Sequence, residues 1–113
     1  MINLCVDEGY AFDYLGILEI KNNKNEQAKK NWLNCYNYIK IQVGEELFTR
    51  IINSKEYQNL VLVNRMTFDA VERARYKNDI TAKEVDDLNM KRYYAKIELQ
   101  NKFFDKKTTE FKT

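Results

Sequence analysis

The sequence predicts an all-α fold, a compact bundle of four to five helices closed by a long C-terminal antiparallel helical hairpin. Three observations carry that expectation. The 113 residues contain no proline and only three glycines, so little along the chain interrupts a helix. Apolar residues recur at three- and four-residue spacing over most of the length, the period of a helix with one face toward a core. Thr81 is followed three residues later by Glu84, the capping box that starts a helix. With 44% hydrophobic and 13% aromatic residues the chain lies on the globular side of disorder, and its length suits one core. One domain over residues 1–105 is expected, followed by a frayed tail over 106–113.

At the N-terminus Ile2, Leu4 and Val6 alternate with Asn3 and Cys5. With no partner strand elsewhere, this reads as an extended arm or an early helical turn covering the core. The first helix is expected over about 7–21, with Asp7 as N-cap and Tyr10, Ala11, Tyr14, Ile17 and Leu18 on one inward arc. Phe12 and Ile20 fall outside that arc, which makes the helix apolar on two sides, as a central or interface helix is. The polar run 22–25 is a turn. The second helix, about 26–43, gathers Ala28, Trp32, Cys35, Tyr36, Ile39 and Val43 on one stripe.

Gly44 is free to take the left-handed conformation that ends this helix, and Glu45 with Glu46 suits the positive N-terminus of a short third one. That piece carries Leu47, Phe48, Ile51 and Ile52 and stops near Asn53. Ser54 is the N-cap of a fourth helix reaching Lys77, where Arg73, Arg75 and Lys77 complement the dipole. Asn78 and Asp79 form the tight polar turn of the hairpin. The fifth helix follows Thr81, has Asp86 and Asp87 near its start and runs to about Asp105. Its main stripe is Val85, Leu88, Ala95, Leu99 and Phe103. The expected core includes Tyr14, Leu18, Trp32, Tyr36, Ile39, Leu60, Phe68, Val71, Val85, Leu88 and Leu99.

Composition closes several routes to function. Without a single histidine, Ser–His, Cys–His and helical His–metal chemistry are all unavailable. Cys5 and Cys35 have no CxxC or Cys/His neighbour and read as reduced core residues. No cofactor is expected, neither zinc nor haem, and no catalytic or metal-ligating residue is assigned. The formal net charge of +2, from 19 basic and 17 acidic residues, singles out no class of partner. The longest plain apolar run is residues 60–63, far short of a membrane span. Asp7 and Glu8 come too early for a signal peptide, so a cytoplasmic location is expected. The abundance of Asn, Lys, Ile and Tyr fits an A/T-rich coding sequence of the kind that phages and other mobile elements carry.

Three constellations carry chemistry. Asp69 and Glu72 on the fourth helix and Glu84 and Asp87 on the fifth resemble the carboxylate pattern of all-α nucleoside-triphosphate pyrophosphatases of the MazG type. That resemblance implies Mg²⁺ held by four carboxylates on facing helices, since a hard cation takes oxygen ligands. It spans residues 69–87, has Asp where the first Glu belongs, and has a shortened gap. Asp69 also projects away from the inward face set by Leu60 and Val71, and Glu84 already has a role in the capping box. This reading ranks third.

A nucleic-acid surface would use Arg65, Arg73, Arg75, Lys77, Arg92 and Lys96, with Tyr76, Tyr93 and Tyr94 interleaved, because phosphates attract cations and bases stack on rings. No helix-turn-helix, finger or RNA-binding signature accompanies them. The leading expectation is instead a small helical protein-interaction module that binds a protein partner or itself as a homodimer, without catalysis. It rests on apolar positions outside the main stripes. The interface candidates are Met90, Tyr94, Ile97, Phe104, Tyr38 and Ile41. A helix with two apolar stripes packs on two neighbours, both within the domain or one in another subunit.

Overall fold

The computed structural model describes residues 5–77 and 80–104. Among them lie five helices and no strand: α1 (Glu8–Lys21), α2 (Glu26–Val43), α3 (Glu45–Ile52), α4 (Lys55–Tyr76) and α5 (Ala82–Phe103). The boundaries follow local chemistry. Asn25 caps α2 by accepting the Ala28 N–H at 2.8 Å, and Ser54 caps α4 by accepting that of Tyr57 at 3.1 Å. The Thr81 and Glu84 side chains complete a reciprocal capping box on α5. Gly44 separates α2 from α3 at φ 101° and ψ 139°. This is a positive φ that glycine adopts readily, though not the left-handed helical well expected for it. Asp7 occupies the N-cap position of α1 with extended backbone but makes no capping side-chain bond. The hairpin residues Asn78 and Asp79, the arm residues 1–4 and the tail expected over 106–113 lie outside the described residues, and α5 ends at Phe103.

α4 and α5 form the most extensive helix pair, and α1 packs on α2, α4 and α5 together. The pair runs antiparallel, since Lys102 near the end of α5 reaches Glu56 near the start of α4 at 3.7 Å. The core centres on Phe12, which is fully buried. Its ring lies 5.8 Å from Phe48, 6.1 Å edge-on from Tyr57 and 6.3 Å from Phe104, with which it stacks. Leu15, Ile51, Leu60 and Leu99 fill the remaining interior with no exposed area.

This arrangement corrects the expected rotation of α1. Phe12, outside the expected inward arc, is core, and Tyr14, expected inside, is 52% exposed. The reason is that α1 presents Gly9, Asp13 and Gly16 to its neighbours, all of them buried. A Cβ on Gly9 would sit 2.9 Å from the Lys96 carbonyl oxygen, so only glycine allows this approach of α1 to α5. Asp13 is buried because Arg92 and Asn64 satisfy its carboxylate. A polar residue on the packing face displaces the apolar arc outward.

Val71 is the other reversal. It is 42% exposed, because α1 ends at Lys21 while α4 continues to Tyr76, and every residue from 71 to 77 is exposed. Ile39, Leu60 and Leu99 are buried as expected, while Leu18, Trp32, Tyr36, Phe68, Val85 and Leu88 are half-buried. Cys5 is exposed, not core. Cys35 is half-buried, and burial pushes its thiol pKa up. Among the described residues no helix is long and apolar enough to cross a membrane.

Candidate functional site

The solvent face of the α4–α5 pair carries uncovered apolar side chains on two adjoining helices. Leu62 and Met66 stand one turn apart on α4, and Met90 and Tyr94 one turn apart on α5. Their exposures run from 39% at Met66 to 55% at Tyr94. Between the helices lies an open cleft of about 440 Å³. Met66, Ala70, Ile80 and Leu88 give it an apolar lining, and charges of both signs, Asp69, Glu84, Asp87, Arg73 and Lys91, surround that lining. Tyr93, itself exposed, packs edge-on against Tyr94 with ring centroids 5.7 Å apart.

The other interface candidates lie elsewhere. Ile97 is half-buried, and Phe104 packs against the core on Phe12. That contact covers part of the second stripe within the monomer. Tyr38 and Ile41 are strongly exposed on α2, a helix with Ile39 as its one buried residue. Tyr38 and Phe104 share a cleft with Cys5 and Val6. On the inward side of α2 the Trp32 ring lies 5.4 Å from Tyr36, and its indole N–H is buried without a hydrogen-bond partner.

The basic candidates divide between two places. Arg65, Arg73 and Arg75 are exposed on α4 and Lys77 at its C-cap, with the Arg75 guanidinium 5.9 Å from the Tyr76 ring centre. Arg92 and Lys96 face α1 instead. Arg92 grips Asp13, and the Lys96 ammonium stands 5.4 Å over the Tyr10 ring. The six residues therefore do not form one surface.

Of the four carboxylates, Asp69, Glu84 and Asp87 border the α4–α5 cleft and Glu72 does not. Glu84 is occupied in the capping box and Asp87 pairs with Lys83 at 3.3 Å. Among the described residues no group of three or more Asp, Glu or Cys side chains is placed to hold a metal ion.

Sequence reasoning missed a third feature, a polar cluster where α1, α4 and α5 meet. Asn64 donates to Asp13 at 2.8 Å and to the Leu60 carbonyl at 3.1 Å, while Thr67 donates to the Val63 carbonyl at 2.8 Å. Above them opens a cleft lined by Ile17, Lys21, Phe68, Val71, Asn89 and Arg92 as well. The available signal was the spacing of Gly9, Asp13 and Gly16, which puts two small residues and one acid on a single helical face. Comparison with protein-family models, curated proteins and solved structures finds no match.

Proposed function

We propose that this chain is a helical protein-interaction module that self-associates through the solvent face of the α4–α5 pair. The observation that carries the reading is the exposure of Leu62, Met66, Met90 and Tyr94 together on two tightly packed helices. Met and aromatic residues are enriched in interface cores, and an uncovered apolar surface with a charged rim is their usual setting. Each helix has 22 residues, a length of about 33 Å. Two such helices side by side offer a face comparable to the roughly 800 Å² that each partner of a standard interface buries.

The rim suits a second copy of the same chain. In a two-fold contact every pair that forms is formed twice, so a face carrying both Asp87 and Lys91, one turn apart, has acid and base to offer a second copy of itself. Light scattering coupled to size exclusion tests the reading. The expected result is a species of twice the chain mass at micromolar concentration, and a strict monomer at high micromolar concentration refutes self-association.

A second reading follows from the end of α4, where Arg73, Arg75 and Lys77 surround the exposed Tyr76. Basic and aromatic side chains on a projecting helix end suit a nucleic-acid backbone and its bases. Retention on a DNA or RNA column that falls steeply with salt would favour it over self-association.

A further inference from the structure

We propose that the cleft where α1, α4 and α5 meet binds a small organic anion, an apolar planar body carrying one carboxylate. The cleft holds about 350 Å³, near the lower end of the range for small-molecule sites. It exists because α1 stops at Lys21 while α4 runs on to Tyr76. The part of α4 bearing Phe68 and Val71 therefore has no helix above it, and these side chains form an open apolar wall with Ile17.

The floor is polar and fixed. Asn64 and Thr67 are 3% and 8% exposed, and each is held by hydrogen bonds to groups on its own helix or on α1. Both have already given their hydrogens, Asn64 to Asp13 and the Leu60 carbonyl and Thr67 to the Val63 carbonyl, so the floor offers a carboxylate no donor, and the rim cations and the apolar wall orient the ligand. Charge selects the sign of that ligand. The Lys21 ammonium stands 5.0 Å from the Phe68 ring centre at the rim, and Arg92 lines the opposite side, fixed by its bonds to Asp13. Among the described residues no carboxylate lines the cleft, and the Asp13 carboxylate below is engaged by Arg92 and Asn64. An anion therefore gains from Lys21, and an apolar body covers Phe68 and Val71. This cleft shares no lining residue with the one between α4 and α5, so the inference stands apart from self-association.

The test is an NMR titration of the isotope-labelled full chain with benzoate, with benzamide and inorganic phosphate as separate arms. Benzoate is expected to shift Asn64, Thr67 and Asn89 saturably with a Kd on the order of 1 mM, the range for so few heavy atoms. Benzamide lacks the charge and phosphate the apolar body, and each should bind about tenfold more weakly. Lys21→Met should weaken benzoate about tenfold. Val71→Trp, which fills the cleft from an exposed position, should abolish binding. Thermal unfolding of both variants should match that of the parent. Saturable benzoate binding by a chain that stays monomeric supports the site independently of any dimer. Absence of saturable shifts, equal affinity for benzamide or phosphate, or binding unaffected by Lys21→Met overturns the proposal.

Discussion

Arg92 on α5 holds Asp13 on α1 through two hydrogen bonds, Nε to Oδ1 at 3.2 Å and Nη2 to Oδ2 at 2.8 Å. The aspartate side chain is 4% exposed and the arginine 32%. Asn64 of α4 donates to the same Oδ1, so one buried carboxylate ties three helices together. A single acid in this position specifies which face of α1 turns inward, because any other rotation would bury it without partners.

Removing one partner of this pair should therefore cost more than removing both. Arg92→Met leaves Asp13 buried and uncompensated, and a destabilisation of about 3 kcal/mol is expected, less than for a fully buried pair because Arg92 reaches solvent. Asp13→Leu combined with Arg92→Met should recover at least half of that loss. Urea unfolding of the two single variants and the double variant measures the cycle. A double variant less stable than Arg92→Met alone would show that the pair does not act as a unit.

The start of α1 is fastened to the end of α5 by Gln100. Its Oε1 accepts the Gly9 N–H at 2.6 Å and its Nε2 donates to Glu8 at 2.9 Å. Gln100→Ala leaves the Gly9 N–H without this acceptor in a buried place and should cost about 1–3 kcal/mol. Gly9→Ala brings a Cβ to 2.9 Å from a backbone oxygen that cannot swing away. It should cost about 1–3 kcal/mol by forcing the helices apart. Thermal or urea unfolding checks both, and a neutral Gly9→Ala would contradict the close approach.

How much of this was legible in the sequence depends on whether the signal was local. Ser54, Gly44 and the Thr81 and Glu84 pair mark helix ends through chemistry within a few residues, and those ends lie where the sequence puts them. The rotation of α1 was not legible. Asp13 finds its partners 51 and 79 residues away, and nothing near it announces that it will be buried. The fate of apolar positions off the main stripes was equally long-range. Phe12 became the centre of the core and drew Phe104 against it, while Met90 and Tyr94 remained uncovered. The cleft floored by Asn64 and Thr67 depends on α1 ending earlier than α4, a difference in length that matters only once the helices are packed.

Tyr57 gives the fold a sensitivity to alkaline pH. Its hydroxyl donates to Glu19 at 3.0 Å, and its pKa is raised first by burial and then by the adjacent Glu19 carboxylate. In the unfolded chain the phenol ionises near pH 10. A folded pKa above the unfolded one means that the contribution is fully present below about pH 10 and is lost as pH climbs from there toward the folded value. Stability should therefore fall above about pH 10. Tyr57→Phe should cost about 1 kcal/mol at neutral pH through the lost hydrogen bond, yet flatten the alkaline decline. Urea unfolding midpoints across that range decide the matter, and an equally steep decline in Tyr57→Phe would remove Tyr57 as the cause.

The self-association reading makes its sharpest prediction at Tyr94 and Met66. Both are exposed on the free chain, so replacing them with lysine removes little that holds the monomer together, and stability should change by no more than about 0.5 kcal/mol. In a dimer built on this face each would lie near the centre of the contact, where a buried unpaired ammonium is costly. The two-fold axis also presents every substitution twice. Tyr94→Lys should weaken the dimer at least tenfold, about 1.4 kcal/mol, with Met66→Lys acting in the same direction. Ile41→Lys on the outer side of α2 should leave the dimer intact. Sedimentation equilibrium on the three variants separates the possibilities. Loss of the dimer in Ile41→Lys alone would move the contact to α2, whereas loss in Tyr94→Lys and Met66→Lys with unchanged unfolding midpoints would fix it on the α4–α5 face.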